Sequence, residues 1–171
     1  MNHDYDLIVI GGGSGGLAAA QRAASHGARV AIIEHGRLGG TCVNVGCVPK
    51  KLMWNAAELA GALEDARGYG FDLAVAGHDW AGLKAARDAY VVRLNGIYER
   101  NLEKRGVTLL RGWATLTGAN EVSVNGEMLR AERILLATGG RPHRPQVPGS
   151  ELGIDSDGFF GLADRPRRVA I

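Results

Sequence analysis

Four apolar residues in a row, Leu7-Ile8-Val9-Ile10, stop at a run of glycines. Such a short, β-branched stretch without polar alternation predicts a strand buried on both faces of a parallel sheet. An alanine-rich segment, Leu17 to Ser25, follows as a helix with Gly27 as its C-terminal stop. A second apolar run, Arg29–Ile33, predicts another strand that ends at Glu34. Two longer helices are expected over Lys50–Arg67 and Asp79–Arg105, the second with Asp79 as N-cap and Gly106 as stop. On it Leu83, Ala86, Tyr90, Leu94 and Ile97 recur every three or four residues, the spacing of a buried stripe.

Beyond Gly106 the period changes from helix to strand. Val107–Arg111, Trp113–Thr117 and Glu121–Asn125 are expected strands, then a hairpin turn at Asn125-Gly126, then strands Glu127–Arg130 and Ile134–Ala137. This predicts a small β-meander inserted before the parallel sheet resumes. Pro142, Pro145 and Pro148 mark a linker, and Arg167–Ile171 has the composition of one more buried strand. The expected division is a domain over residues 1–150, followed by a linker and the start of another domain over 151–171.

Composition narrows the function without choosing it. Apolar residues make up 46% and charged residues 22%, the balance of a soluble globular chain. The net charge of +2 is too small and too scattered for a nucleic-acid footprint. No run reaches membrane-spanning length, and the first apolar run follows Asp4 and Asp6 rather than basic residues, unlike a secretory leader. Two cysteines are too few for a secreted disulfide scaffold, which points to the cytoplasm. Glycine is the outlier: there are 26, about twice the average share, and many cluster where backbone could approach a ligand.

Gly11, Gly13 and Gly16 fit the spacing G-x-G-x-x-G between a strand and a helix. The first glycine permits the tight turn, the second lets a pyrophosphate approach, and the third lets helix and strand pack closely. The helix N-terminus then offers free N–H groups and a partial positive charge to the phosphates. Glu34, 23 residues after Gly11, stands where a carboxylate would accept from ribose hydroxyls. That carboxylate would repel a 2′-phosphate, so FAD or NAD is favoured over NADP. A plain structural turn is the competing reading.

Cys42 and Cys47 lie in a glycine-rich stretch that ends in Pro49-Lys50-Lys51. Five residues of regular helix rise about 7.5 Å, beyond the roughly 7 Å limit on Cα separation in a disulfide. A bridge therefore requires a distorted helix, and Gly46 and Pro49 could supply the distortion. Zinc would need two more ligands, and His3, His26, His35, His78 and His143 show no ligand spacing, so no metal site is expected. The bland alternative is a pair of small buried hydrophobes. Redox chemistry is the stronger reading, because a thiol near a helix N-terminus and a lysine loses its proton more readily and can be oxidised and re-reduced.

The segment Gly39-Gly40-Thr41-Cys42-Val43-Asn44-Val45-Gly46-Cys47-Val48-Pro49-Lys50-Lys51, with the glycine loop before it and Ala137-Thr138-Gly139-Gly140-Arg141-Pro142 after it, resembles the pyridine nucleotide–disulfide oxidoreductases. Within that family it is most similar to the glutathione reductases. The ending Val48-Pro49-Lys50-Lys51-Leu52-Met53-Trp54 sets it apart from lipoamide dehydrogenases and mercuric reductases. Trypanothione and large thioredoxin reductases share more of it, and Arg87–Tyr90, Arg93–Tyr98 and Ser156–Phe160 favour the glutathione enzymes. The resemblance covers essentially the whole chain but only the front part of a family member.

What the resemblance implies is an α/β fold: a truncated, Rossmann-like FAD-binding domain with a parallel sheet and an inserted β-meander. It implies electron flow from NADPH to FAD, to a Cys42–Cys47 disulfide, to glutathione disulfide, in a homodimeric full-length enzyme. NADPH would enter only through a domain beyond Ile171, so this stretch alone should not complete the cycle. Cys47 would face the flavin, and Cys42 would be the exposed sulfur that exchanges with glutathione. Gly11, Gly13, Ser14, Gly15 and Gly16 would form the cofactor-binding loop, with Ser14 and Gly15 on the pyrophosphate, and Glu34 would hold the ribose. Thr41, Cys42 and Lys50 would line the flavin, with Lys50 at its reactive edge; Ala114 would meet the adenine through its backbone, and Thr138 and Gly139 would close the cofactor site. Ser14 and Tyr98 would contact the substrate; Tyr98 lies about 80° round its helix from Tyr90, which is expected to be core packing. One departure is Gln21, which stands where glutathione reductases commonly carry a substrate-binding arginine; Arg22 points about 100° away. The alternatives are a non-catalytic FAD-binding fragment, or a relative closer to trypanothione or thioredoxin reductases.

Overall fold

The computed structural model describes residues 3–171. Its chain runs β1 (Tyr5–Ile10), α1 (Ser14–Ser25), β2 (Val30–Glu34), α2 (Gly40–Val45), α3 (Cys47–Asp65), α4 (Trp80–Lys104), β3 (Thr108–Arg111), β4 (Ala114–Gly118), β5 (Glu121–Val124), β6 (Glu127–Leu136) and α5 (Ser156–Gly161). The strands form one six-stranded sheet in the order β3-β2-β1-β6-β5-β4. The four strands from β3 to β6 pair in parallel, while β4, β5 and the start of β6 form the antiparallel meander.

The apolar runs are continuous because both faces of the central strands are covered. Val9 and Ile32 face one way, into a core with Leu17 and Ala20 of α1 and Leu102 of α4. Their neighbours Ile8, Ala31 and Ile33 face the other way and pack with Val122, Val124 and Leu129 of the meander. The expected punctuation is present. Gly27 has φ 85° and donates to the Ala24 carbonyl, and Asp79 caps α4 by accepting from the Gly82 N–H at 2.9 Å. Asn125 and Gly126 both have positive φ, 51° and 84°, as a tight hairpin turn requires.

Three expectations are corrected. The strands expected at Glu127–Arg130 and Ile134–Ala137 are one strand, β6, which pairs with β5 up to Arg130 and with β1 from Ala131 onward. Nothing in Arg130-Ala131-Glu132-Arg133 breaks an extended chain, so the strand changes partner without stopping. The buried residues of α4 are Arg87, Val91 and Leu102, with Tyr98 packed against the core, while Tyr90 is 42% exposed. The true inner stripe is thus displaced by about one residue from the expected one. Finally, Arg167–Ile171 forms no strand and lies exposed, since no neighbouring strand offers it a ladder.

Candidate active site

Gly11 leaves the end of β1 at φ 110° and donates to the Ile33 carbonyl at 2.8 Å. A Cβ at Gly11 would fall on the Ala137 carbonyl oxygen, and one at Gly16 on the Gly11 carbonyl oxygen. The turn and the α1–β1 contact therefore admit only glycine at these two places. Gly13 is the N-cap of α1 and supplies no side-chain cap, and Ser14 and Gly15 beyond it are exposed. The first-turn N–H groups of α1 thus keep their free donor capacity. A carboxylate closes the loop from the other side: Glu34 accepts from the Gly12 and Gly36 N–H groups, each at 2.7 Å. Two amides fix its orientation and leave further lone pairs for a hydroxyl.

The cysteine segment is built directly onto this loop. The Gly39 N–H donates to the Gly12 carbonyl at 2.8 Å, and Gly13 and Gly39 form a parallel bridge. A Cβ at Gly40 would lie 2.7 Å from Gly13 Cα, so two glycines face each other where the segments touch. From there α2 carries Thr41, exposed, and Cys42. The helix breaks at Gly46 (φ −150°, ψ −121°), and α3 starts at Cys47. This is the distortion that a five-residue cysteine spacing demands. A Cβ at Gly46 would sit 2.7 Å from the Thr41 carbonyl oxygen.

The break brings the two cysteines, both free thiols, close enough for Cys47 to act on the titration of Cys42. The Cys42 thiol is pushed above the ordinary thiol range, first by its hydrogen bond to Cys47, then by burial and by the charge Cys47 carries when ionised. The Cys47 backbone N–H and the Ser14 hydroxyl pull the other way without prevailing. Ser14, the first residue of α1, is thus near enough to bear on Cys42. The exposures run opposite to those the resemblance implies: Cys47 is exposed and Cys42 half-buried. Cys47 opens α3 at the break.

Lys50 is exposed on the first turn of α3, three residues from Cys47, and Lys51 is exposed beside it. Thr138 lies next to Gly11, and Gly139 follows at φ 72°; both are exposed. Ala114 opens β4 at the Glu34 end, where the Gly112 N–H donates to the Glu34 carbonyl at 3.1 Å. Gln21 bonds back to the Leu17 carbonyl of its own helix, and Arg22 is exposed. Tyr98 packs beside the first core and is not among the residues gathered at the thiols.

Sequence reasoning missed three features here. His35 stacks on Trp113 with ring centroids 3.8 Å apart, beside the Glu34 carboxylate. Asn44 and Asn95 form an amide pair behind α2. Arg87 is 4% exposed and donates to the Phe160 carbonyl, holding α5 on α4. Each joins segments distant in the chain, so no local pattern announces it.

The glycine cradle, the uncapped helix start and the fixed carboxylate fit a dinucleotide, and the adjoining dithiol fits a redox partner to it. Residues 5–171 match the family described as pyridine nucleotide-disulphide oxidoreductase. Among curated proteins, the chain is 56% identical to a glutathione reductase of Yarrowia lipolytica and 54% identical to one of Schizosaccharomyces pombe, each over 98% of this chain. It is 49% identical to a glutathione reductase of Burkholderia cepacia over its full length. The chain spans 38% of the length of each of these relatives.

Proposed function

The chain belongs to the pyridine nucleotide-disulphide oxidoreductase family, and from that premise we propose that it is the FAD- and dithiol-bearing part of an NADPH-dependent glutathione-disulfide reductase. The observation that carries the reading is the shared wall between the two sites: Gly39 bonded to Gly12 and bridged to Gly13, with Gly40 packed on Gly13. A structural turn needs no dithiol beside it, and a pair of buried hydrophobes needs no anion cradle.

FAD, when bound, would relay two electrons from NADPH to a Cys42–Cys47 disulfide and so return it to the dithiol. The amides of Ser14 and Gly15 take the pyrophosphate, with Gly11, Gly13 and Gly16 shaping the approach, and Glu34 takes the ribose. Ala114 offers backbone to the adenine end. Thr41, Thr138 and Gly139 close the site, and Lys50 places an ammonium beside the flavin edge, where it stabilises negative charge. Toward the substrate, the resemblance assigns the first attack to Cys42, although Cys47 is the more exposed thiol: once deprotonated, Cys42 attacks one sulfur of glutathione disulfide, forming a mixed disulfide and releasing one glutathione. The Cys47 thiolate then attacks the Cys42 sulfur, closing the Cys42–Cys47 bond and releasing the second glutathione. Two thiols are oxidised, one disulfide is reduced, and the two thiol protons leave on the two glutathione molecules. Ser14 and Tyr98 are the proposed substrate contacts.

NADPH binding and the homodimer contacts belong to the remainder of the longer enzyme, with residues 1–150 as the FAD domain and 151–171 leading toward the NADPH domain. A reducing compartment such as the cytoplasm suits the thiol pair. Among the described residues no helix is long and apolar enough to cross a membrane. The test is direct. Added FAD should give a bound flavin with its visible band, and air oxidation should protect Cys42 and Cys47 together from alkylation until a reductant is added. Two free thiols after oxidation refute the redox reading; bound flavin with unreactive thiols leaves a binding module.

A further inference from the structure

The Leu38–Gly39 peptide is gripped from both sides. Its N–H donates to the Gly12 carbonyl of the nucleotide loop at 2.8 Å. Its carbonyl, on the buried Leu38, accepts from Asn95 Nδ2 of α4 at 2.7 Å and from Asn44 Nδ2 of α2 at 3.1 Å. Asn95 Nδ2 also donates to Asn44 Oδ1 at 3.1 Å, and Asn44 Nδ2 to the Gly40 carbonyl at 2.9 Å. A trans peptide is planar, with its C=O and N–H directed oppositely. Whatever fixes the carbonyl therefore fixes the direction of the N–H.

Gly39 makes this control necessary. Its φ of 98° lies where only glycine is comfortable, and the residues on both sides of the following φ/ψ pair, Gly39 and Gly40, have no side chain to hold them. Two successive glycines between the nucleotide loop and the cysteine helix leave the direction of this peptide to the backbone contacts and hydrogen bonds made around it. The amide pair supplies the restraint from outside these glycines. Asn44 lies between the two cysteines in sequence, and Asn95 lies 51 residues from it on a long helix anchored in the core.

We propose that Asn95 is a positioning residue for the dithiol: with Asn44 it clamps the Leu38–Gly39 peptide and so holds the cysteine helix at a fixed place against the nucleotide loop. The inference rests on the proposed function only in taking the dithiol to be the working group. Asn95 touches neither a sulfur nor the nucleotide cradle and acts through Asn44 and the Leu38 carbonyl.

The test uses the purified chain and two variants. Asn95→Asp keeps the shape but turns the donor into an acceptor aimed at two oxygens, and Asn95→Leu removes the amide. Amide hydrogen exchange is followed residue by residue, and the dithiol–disulfide equilibrium is measured in glutathione redox buffers. In the unaltered chain the Gly39 amide should exchange slowly. In either variant it should exchange at least about tenfold faster, as loss of a buried hydrogen bond implies, while Ile8 and Ile32 in the sheet keep their rates. The dithiol–disulfide constant should move by about three- to tenfold in the same variants, a change that a purely structural role would not produce. An unprotected Gly39 in the unaltered chain overturns the assignment, and this measurement decides alone if neither variant folds. Folded variants with unchanged Gly39 exchange, or with an unmoved thiol equilibrium, overturn it as well. If the unaltered chain exchanges no disulfide with glutathione, the proposed function falls and the dithiol role of Asn95 falls with it; normal exchange in all three proteins removes Asn95 alone.

Discussion

Replacing Gly13 by alanine separates a glycine kept for folding from one kept for a ligand. Gly13 has φ −81° and ψ −171°, extended backbone that alanine adopts freely, and a Cβ there would meet Gly40 Cα at an ordinary 3.6 Å. Losing glycine's freedom in the unfolded chain stabilises by about 0.4–1 kcal/mol. Alanine is a poorer N-cap than glycine by roughly the same amount. The two offset, so Gly13→Ala should leave stability within about 1 kcal/mol of the unaltered chain. Gly16→Ala is the contrast: its Cβ falls on the Gly11 carbonyl oxygen, and relieving that contact costs at least about 1–3 kcal/mol. For a bound pyrophosphate the order reverses in interest. The added methyl at Gly13 stands where the phosphates approach the amides of Ser14 and Gly15, and each charge-assisted hydrogen bond lost is worth about 1.5–3 kcal/mol. Affinity for FAD should fall by about ten- to a hundredfold or more. Urea unfolding followed by circular dichroism gives the stability, and quenching of flavin fluorescence gives the affinity. Gly13→Ala with unchanged urea midpoint and unchanged FAD affinity would refute the argument, leaving these glycines as a turn.

Glu34→Gln keeps the shape but sets an NH2 group against one of the two N–H groups that the carboxylate accepts, at Gly12 or Gly36. A loss of about 1–3 kcal/mol in unfolding free energy is expected, together with weaker FAD binding; an unchanged urea midpoint contradicts it. In reducing buffer the raised Cys42 thiol contributes stability that is complete below the ordinary thiol value of 9.0 and is lost as the pH climbs through its own higher value. The urea midpoint should therefore decline over that interval. Cys47→Ala removes the largest cause of the shift, so the alkylation profile of Cys42 should move to lower pH, and a profile that stays in place defeats the assignment. Arg87→Met leaves the Phe160 carbonyl without its 2.7 Å partner and should cost about 1–3 kcal/mol. Limited proteolysis should then cut between residues 150 and 171 faster than in the unaltered chain; equal rates count against Arg87 as the anchor of α5.

The parts of this molecule legible in its sequence are those decided by steric exclusion or by burial of a run. Gly11 and Gly16 are legible because a Cβ at either would collide with backbone, and the break at Gly46 because a regular helix cannot bring cysteines five apart within disulfide range. Strands β1 and β2 are legible because both their faces are buried. The inner face of α4 is not, and its failure is instructive. A hydrophobic pattern selects Leu83, Ala86, Tyr90, Leu94 and Ile97, yet the helix turns Arg87 inward toward the Phe160 carbonyl and Asn95 toward the Leu38 carbonyl. One residue of rotation is about 100°, enough to carry Tyr90 out of the inner face while Leu83, Leu94 and Ile97 stay half-buried.

The rotation follows from an obligation that periodicity does not register. A buried carbonyl without a donor costs about as much as burying a large apolar side chain gains. Leu38 is buried, and the Leu38–Gly39 peptide must keep its N–H on the nucleotide loop, so its carbonyl faces away from the loop and toward α4. The helix meets that demand with an amide, and Tyr90 is left 42% exposed as a result. The same polar residues that spoil the apolar stripe are the ones joining α4 to the cysteine helix and to α5. Where local pattern and global fold disagree, the disagreement falls on residues that hold the reactive segment in place.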